Sequence, residues 1–321
     1  NMLNSSGINV SNYNDILNNW SNKTFPVPND VLFTANNLKY SLLGVPGRNK
    51  LINNYAWEIT NDKFQPQDKT ELKTAVDDWI EDKTTALLVY GEINTWDTSL
   101  VTDMSDLFKD ETTFNDNING WDTSNVSNML RMFNNATSFN QPLNNWDVSN
   151  VSNMGNLFSF TASFNQSLNN WNTSNVTNMS YMFNNAENFN QNLSNFTFES
   201  LNPVDSMINM LNSSGINVSN YNDILNNWSN KTFPVPNDVL FTANNLKYSL
   251  LGVPGRNKLI NNYAWEITND KFQPQDKTEL KTAVDEWIGD EATALLVYGE
   301  INTWDTSLIV DMSNLFENKE T

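Results

Sequence analysis

Three residue types recur at spacings from which they could do chemistry. An aspartate follows a tryptophan at Asp97, Asp122 and Asp147, three carboxylates in a 25-residue rhythm that could line a calcium stripe. Asn115, Asn140, Asn165 and Asn190 keep the same rhythm. In parallel repeats about 4.8 Å apart their amides could form a ladder, each donating to the next carbonyl, or could present an uncharged face to a glycan. The triplets that begin at Asn125, Asn135, Asn150 and Asn175 fit the N-glycan acceptor pattern, and Trp96, Trp121, Trp146 and Trp171 form a row able to stack on sugars.

Each of these has a structural reading that fits the sequence better. Asn172 replaces the aspartate of the fourth repeat without disturbing the motif, which suits a turn former rather than one of the converging oxygens a hard cation needs. Phased asparagines satisfy backbone groups that turn inward. Asparagine supplies 60 of the 321 residues, so acceptor triplets arise by chance. The tryptophans keep aliphatic neighbours three positions earlier, Ile93, Ile118, Leu143 and Leu168, as a core column would. Calcium is the one ion these residues suggest, and no cofactor is expected.

Composition narrows the function classes. Histidine and cysteine are both absent, which removes the commonest general base, disulfides and thiolate metal sites. No serine stands in a nucleophile elbow and no carboxylate pair recurs in a distinctive setting, so an enzyme is not expected. The net charge of −19 is uneven: from Met132 to Asn230 there is no Lys or Arg. Nucleic acid is an improbable partner for such a surface. No apolar run is long enough to span a membrane, and any export signal is expected outside this stretch.

The elements that must position these residues repeat on two scales. Residues 1–77 recur unchanged at 209–285, a period of 208. Within that period Trp96, Trp121, Trp146, Trp171 and Phe196 stand 25 residues apart. Such self-similarity marks a stacked-repeat architecture. After each aromatic, apolar residues at +5, +8, +11, +12 and +15, as in Val126, Met129, Met132, Phe133 and Ala136, fit one face of a two-to-three-turn helix. A strand of three or four residues is expected near Asn145–Val148, kept short by Pro142. The apolar register continues through Leu201, Val204, Met207, Ile208 and Leu211, and an insertion near Ser213–Gly215 precedes Trp228. Residues 69–83 place Leu72, Ala75, Val76, Trp79 and Ile80 on one helical face. Residues 229–276 have another grammar, with FPVP, the helical stretch NKLINNY and the strand AWEIT, and read as a closing cap.

The phrases NNWDVSNVSNM, YMFNNAENFNQNLSNF and SFNQPLNNWDVSNVSNMGNLF resemble the BspA-like bacterial surface repeat of about 25 residues, which also occurs in mycoplasma lipoproteins. The segment from NYNDILNNW to AWEITND is similar to the closing segment of large marine bacterial surface proteins. The resemblance implies leucine-rich-repeat-like coils on an exported surface protein with adhesive roles, and it carries no catalytic residues.

The expected fold is therefore an α/β, leucine-rich-repeat-like solenoid with 25-residue coils, a helical N-terminal cap and a mixed α/β closing cap, with a β solenoid as the alternative. Residues 1–68 would close a preceding module and 69–276 would form a complete one: cap helix 69–83, coils 85–228, cap 229–276. Residues 277–321 would start the next. Trp79 and Ile80, with Trp287 and Ile288, would seat the module junction against the first coil and the preceding cap. The expected function is a structural segment of an extracellular tandem-repeat fibre or surface stalk, whose partners are identical neighbouring modules or chains. The alternative is an adhesin that binds cell-surface glycans or a partner surface through its Asn/Ser/Thr face.

Overall fold

A computed structural model describes residues 3, 6–24, 26–202, 205–232, 235–317 and 319. Phe25, Phe233 and Pro234 of the two FPVP segments, and Val204 of the apolar register, lie outside the described residues. The chain divides into two units, one of residues 1–107, 116–128 and 145–150, the other of 108–115, 129–144 and 151–321.

The first unit holds the first cap. Helix α1 (Val10–Ser21) starts where the Asn9 side chain accepts from the Asn12 N–H, and it buries Tyr13 and Leu17, one turn apart. Strand β1 (Leu32–Thr34) pairs in parallel with β3 (Glu58–Thr60), and β2 (Lys39–Tyr40) pairs with β4 (Lys63–Phe64). Between them α2 (Val45–Tyr55) crosses α1 so closely that a Cβ on Gly47 would lie 2.6 Å from the Asn18 nitrogen, which glycine alone permits. Helix α3 (Lys69–Glu81) is capped by Asp68, and Asp82 ends it while capping α4 (Lys83–Tyr90). Of the expected face, Leu72, Ala75, Val76 and Trp79 are buried and Ile80 is part-exposed.

The second unit carries the same cap as α5 (Val218–Ser229), β5 (Leu240–Thr242), β6 (Lys247–Tyr248), α6 (Val253–Tyr263), β7 (Glu266–Thr268) and β8 (Lys271–Phe272). Helices α7 (Lys277–Gly289) and α8 (Glu291–Tyr298) follow it. No described helix is long and apolar enough to cross a membrane.

The 25-residue repeats correct the expected fold. The α/β leucine-rich-repeat-like solenoid does not form, and neither does the β solenoid. From Trp96 to Asn217 the described residues hold no helix and no strand, only turns and the isolated parallel bridges Asp103↔Asn128 and Asn153↔Asn178. The helix expected after each aromatic is a run of overlapping turns, and Asn145–Val148 is turn and irregular chain.

Backbone hydrogen bonds explain why. In the second unit, the N–H groups of Met132, Asn134 and Ala136 donate three residues back, to Met129, Arg131 and Phe133. The alternate N–H groups, of Met129, Arg131, Phe133 and Asn135, donate instead to the carbonyls of Asn153, Gly155, Leu157 and Ser159 in the next repeat at 2.8–3.0 Å. Met154 to Thr161 and Met179 to Ala186 repeat the pattern. Half the amides are thus spent between repeats and cannot close helical turns. The geometry needs left-handed residues ten and fourteen positions after each aromatic: Asp106 and Asp110, Arg131 and Asn135, Asn156 and Phe160, Tyr181 and Asn185, all near φ +60°. A right-handed helix holds none.

Candidate functional site

Among the described residues, a buried polar cluster lies where each cap meets the helix that follows it. In the first unit α2 projects Arg48 into the cap core. Its Nε and one terminal nitrogen donate to Asp62 at 2.9 and 3.1 Å, and its guanidinium lies 4.7 Å over the Tyr40 ring. The Tyr13 hydroxyl donates to the same carboxylate. Burial, and then the Asp62 charge, pushes the Tyr13 phenol far above its usual range. This cluster grips α4: Arg48 donates to the Leu88 carbonyl, and the Tyr40 hydroxyl donates to the Val89 carbonyl at 2.8 Å.

An aromatic group completes the join. Phe64 of the cap lies 4.7 Å from Tyr90 and 5.5 Å from Trp96, and the Asp97 N–H donates to the Phe64 carbonyl. Asp97 itself pairs with Lys39 of the cap. Burial would raise its carboxyl, but hydrogen bonds from Lys39 and Ser99 outweigh burial and hold it below the usual range.

The same join recurs in the second unit. Arg256 donates to Asp270 and covers Tyr248 at 4.7 Å, the Tyr248 hydroxyl donates to the Val297 carbonyl, and Phe272 lies 5.5 Å from Trp304.

The expected junction residues divide. Trp79 is 2% exposed and stands edge-on to Trp96 at 5.8 Å, its indole donating to Asp116. Trp287 meets Trp304 in the same way but is part-exposed. Ile80 is part-exposed and Ile288 is 42% exposed. Arg48, Asp62, Tyr13 and Tyr40 were not singled out from the sequence. The available signal was the one arginine of the VPGRNKLINNY helix, returning unchanged as Arg256.

The aromatic column lies inside the repeats, and the asparagine column lies at their surface. Trp96, Trp121 and Trp146 are buried in the first unit, where Trp121 and Trp146 donate from the indole to the carbonyls of Ile93 and Ile118. In the second unit Trp171 donates to Leu143, and Phe196 is buried. The asparagine ladder forms with a different donor from the one expected. The side-chain oxygens of Asn115, Asn140 and Asn165 accept from the backbone N–H of Asn140, Asn165 and Asn190 at 2.9–3.0 Å, and also from Gln141, Gln166 and Gln191.

Asp97, Asp122 and Asp147 each accept from the backbone N–H of the serine two residues on, as Asn172 does from Ser174. Among the described residues no group of three or more acidic side chains could hold a metal ion. Of the glycan-acceptor asparagines, Asn125 and Asn150 donate to the Ser99 and Ser124 carbonyls, and Asn135 donates to Asp110.

The family described as "Mycoplasma protein of unknown function, DUF285" matches residues 74–196, 143–250 and 282–321, more than half of the chain. The chain belongs to that family. The repeated matches make it a tandem-repeat protein, and the matched stretches run over the repeats and into the second cap. No curated protein and no solved structure matches the chain.

Proposed function

We propose that this chain is a structural, non-enzymatic segment of an extracellular tandem-repeat fibre or surface stalk, with modules joined end to end through the cap. One observation carries the reading: the cap-to-helix join is built twice from the same contacts, with Phe64–Trp96 and Phe272–Trp304 both at 5.5 Å and 78°. Equal modules with equal joins repeat by one rotation and translation. The connecting residues DKFQPQDKTEL contain no Gly/Ser-rich stretch, and within them Phe64 ends a strand and Asp68 caps the helix that follows. The likeness of the repeat phrases to BspA-like surface repeats supports an exported setting. The alternative is an adhesin that binds glycans or a partner surface through its Asn/Ser/Thr face, where the side-chain oxygens of Asn115, Asn140 and Asn165 already accept from the next repeat.

Small-angle scattering from a protein that carries two complete modules in a row tests this. A single defined maximum dimension, unchanged between low and high salt, fits the fibre. A profile that only an ensemble of hinged modules reproduces rejects it.

A further inference from the structure

Of the 11 glycines in the sequence, Gly120 alone follows an asparagine, Asn119. That step is open to a spontaneous reaction. With no Cβ in the way, the Gly120 nitrogen can attack the Asn119 side-chain carbonyl carbon and lose its proton as ammonia leaves; water then opens the succinimide to aspartate or isoaspartate. Burial does not prevent this, because Gly120 is exposed and Asn119 is part-exposed. Gly120 also lines an open pocket of about 370 Å³ with Asn94, Thr95, Trp96 and Asp122, wide enough to bring water to it.

The fold demands glycine here. A Cβ at Gly120 would lie 2.5 Å from the Asn94 carbonyl oxygen, so the backbone passes too close to the preceding repeat for a side chain. At the matching positions of later repeats stand Asn145, Asn170 and Asn195. The close approach that forces a reactive pair also restrains it. The Gly120 N–H donates to the Asn94 side-chain oxygen at 2.7 Å, and the Asn119 side-chain oxygen accepts from the Asn145 N–H at 3.0 Å. Asn94 stands just before Trp96 and Asn145 just before Trp146, so the nucleophile and the carbonyl it must reach are tied in opposite directions along the stack. The Trp121 N–H closes the turn around both residues onto the Ile118 carbonyl at 3.1 Å.

We infer that Asn119–Gly120 is a modification site, a spontaneous deamidation site held off by the stacking of the repeats on either side. Ring closure needs both ties broken, because the nitrogen must leave Asn94 and the side chain must swing away from Asn145. While the repeats stay stacked the pair is stable. Once they part it reacts, and isoaspartate puts an extra carbon into the backbone, so Gly120 no longer meets Asn94 and the repeat does not restack in register. The site therefore records separation of neighbouring repeats. It does so whether or not modules join end to end.

The test keeps the full chain in warm neutral buffer, folded or unfolded in guanidinium chloride, and follows conversion at Asn119 by mass spectrometry of the tryptic peptide 110–131. Conversion should be at least about tenfold slower in the folded chain, as the breaking of two hydrogen bonds requires. In the folded chain Asn94→Ala should speed it at least about threefold. Asn94→Asp keeps an oxygen for the Gly120 N–H and should hold the natural rate. Asn125→Ala is the control: it removes an amide that donates to the Ser99 carbonyl of the same preceding repeat but touches neither reacting residue, and it should leave the rate unchanged. Equal rates in the folded and unfolded chain, or no acceleration by Asn94→Ala, would overturn the inference. Equal acceleration by Asn125→Ala would also overturn it, since any loosening would then suffice.

Discussion

Arg48 and Asp62 form an ion pair inside the cap, with side chains 11% and 1% exposed. Removing one partner leaves a buried charge uncompensated, and Arg48→Leu should cost about 3–5 kcal/mol in urea unfolding. The Arg48→Leu, Asp62→Leu pair should recover much of that. Trp146 answers to packing instead. Trp146→Ala should cost about 3–5 kcal/mol, the range for deleting a buried aromatic, while Trp146→Phe should lose about 1 kcal/mol with the indole bond to Ile118. Asp97 gives the pH dependence. Its folded carboxyl is held low despite burial, by Lys39 and Ser99, so its contribution is present above the unfolded value of about 4 and is lost as pH falls through the folded value. Thermal midpoints of the natural chain and Asp97→Asn should therefore differ most near neutrality and converge in acid.

The turn-built repeat places residues where their side chains are strained. Phe160 is 49% exposed at φ 59°, a position that Asn135 and Asn185 fill in neighbouring repeats. Asparagine tolerates the left-handed region, so Phe160→Asn should stabilise the chain by roughly 1 kcal/mol in thermal unfolding. A loss instead would show that the ring contributes more than the backbone costs. The same strain shows why the repeats were only half legible. Apolar spacing at +5, +8, +11, +12 and +15 reported which residues turn inward, and Val126, Met129, Met132, Phe133 and Ala136 are all buried. It could not report the backbone, because turns that alternate right- and left-handed residues bury the same positions a helix would. Where propensity and burial agree, as in α3, the sequence reading and the helix coincide. Among the described residues, the buried side-chain oxygens without a partner, on Thr197, Ser206, Asn212 and Ser214, fall in the last repeat, where the spacing lengthens to 32 residues. Arg48 and Asp62 were not legible, since no periodicity links two residues 14 positions apart in different elements.

At the scale of the whole chain, the contacts that hold the described residues are hydrophobic columns, amide ladders and cap clusters. Chelation should leave the thermal midpoint unchanged, because no metal-binding free energy is linked to folding. A fall of more than about 10 °C in EDTA, well beyond the few degrees that 1 kcal/mol produces, would bring back a calcium stripe at Asp97, Asp122 and Asp147. The central claim is that one module fixes the next. The absence of cysteine lets a pair of spin labels be placed at Ser11→Cys and Ser219→Cys, exposed positions one 208-residue period apart. Double electron–electron resonance between them should give one narrow distance distribution that persists when salt is raised. A broad or multi-peaked distribution would contradict the account.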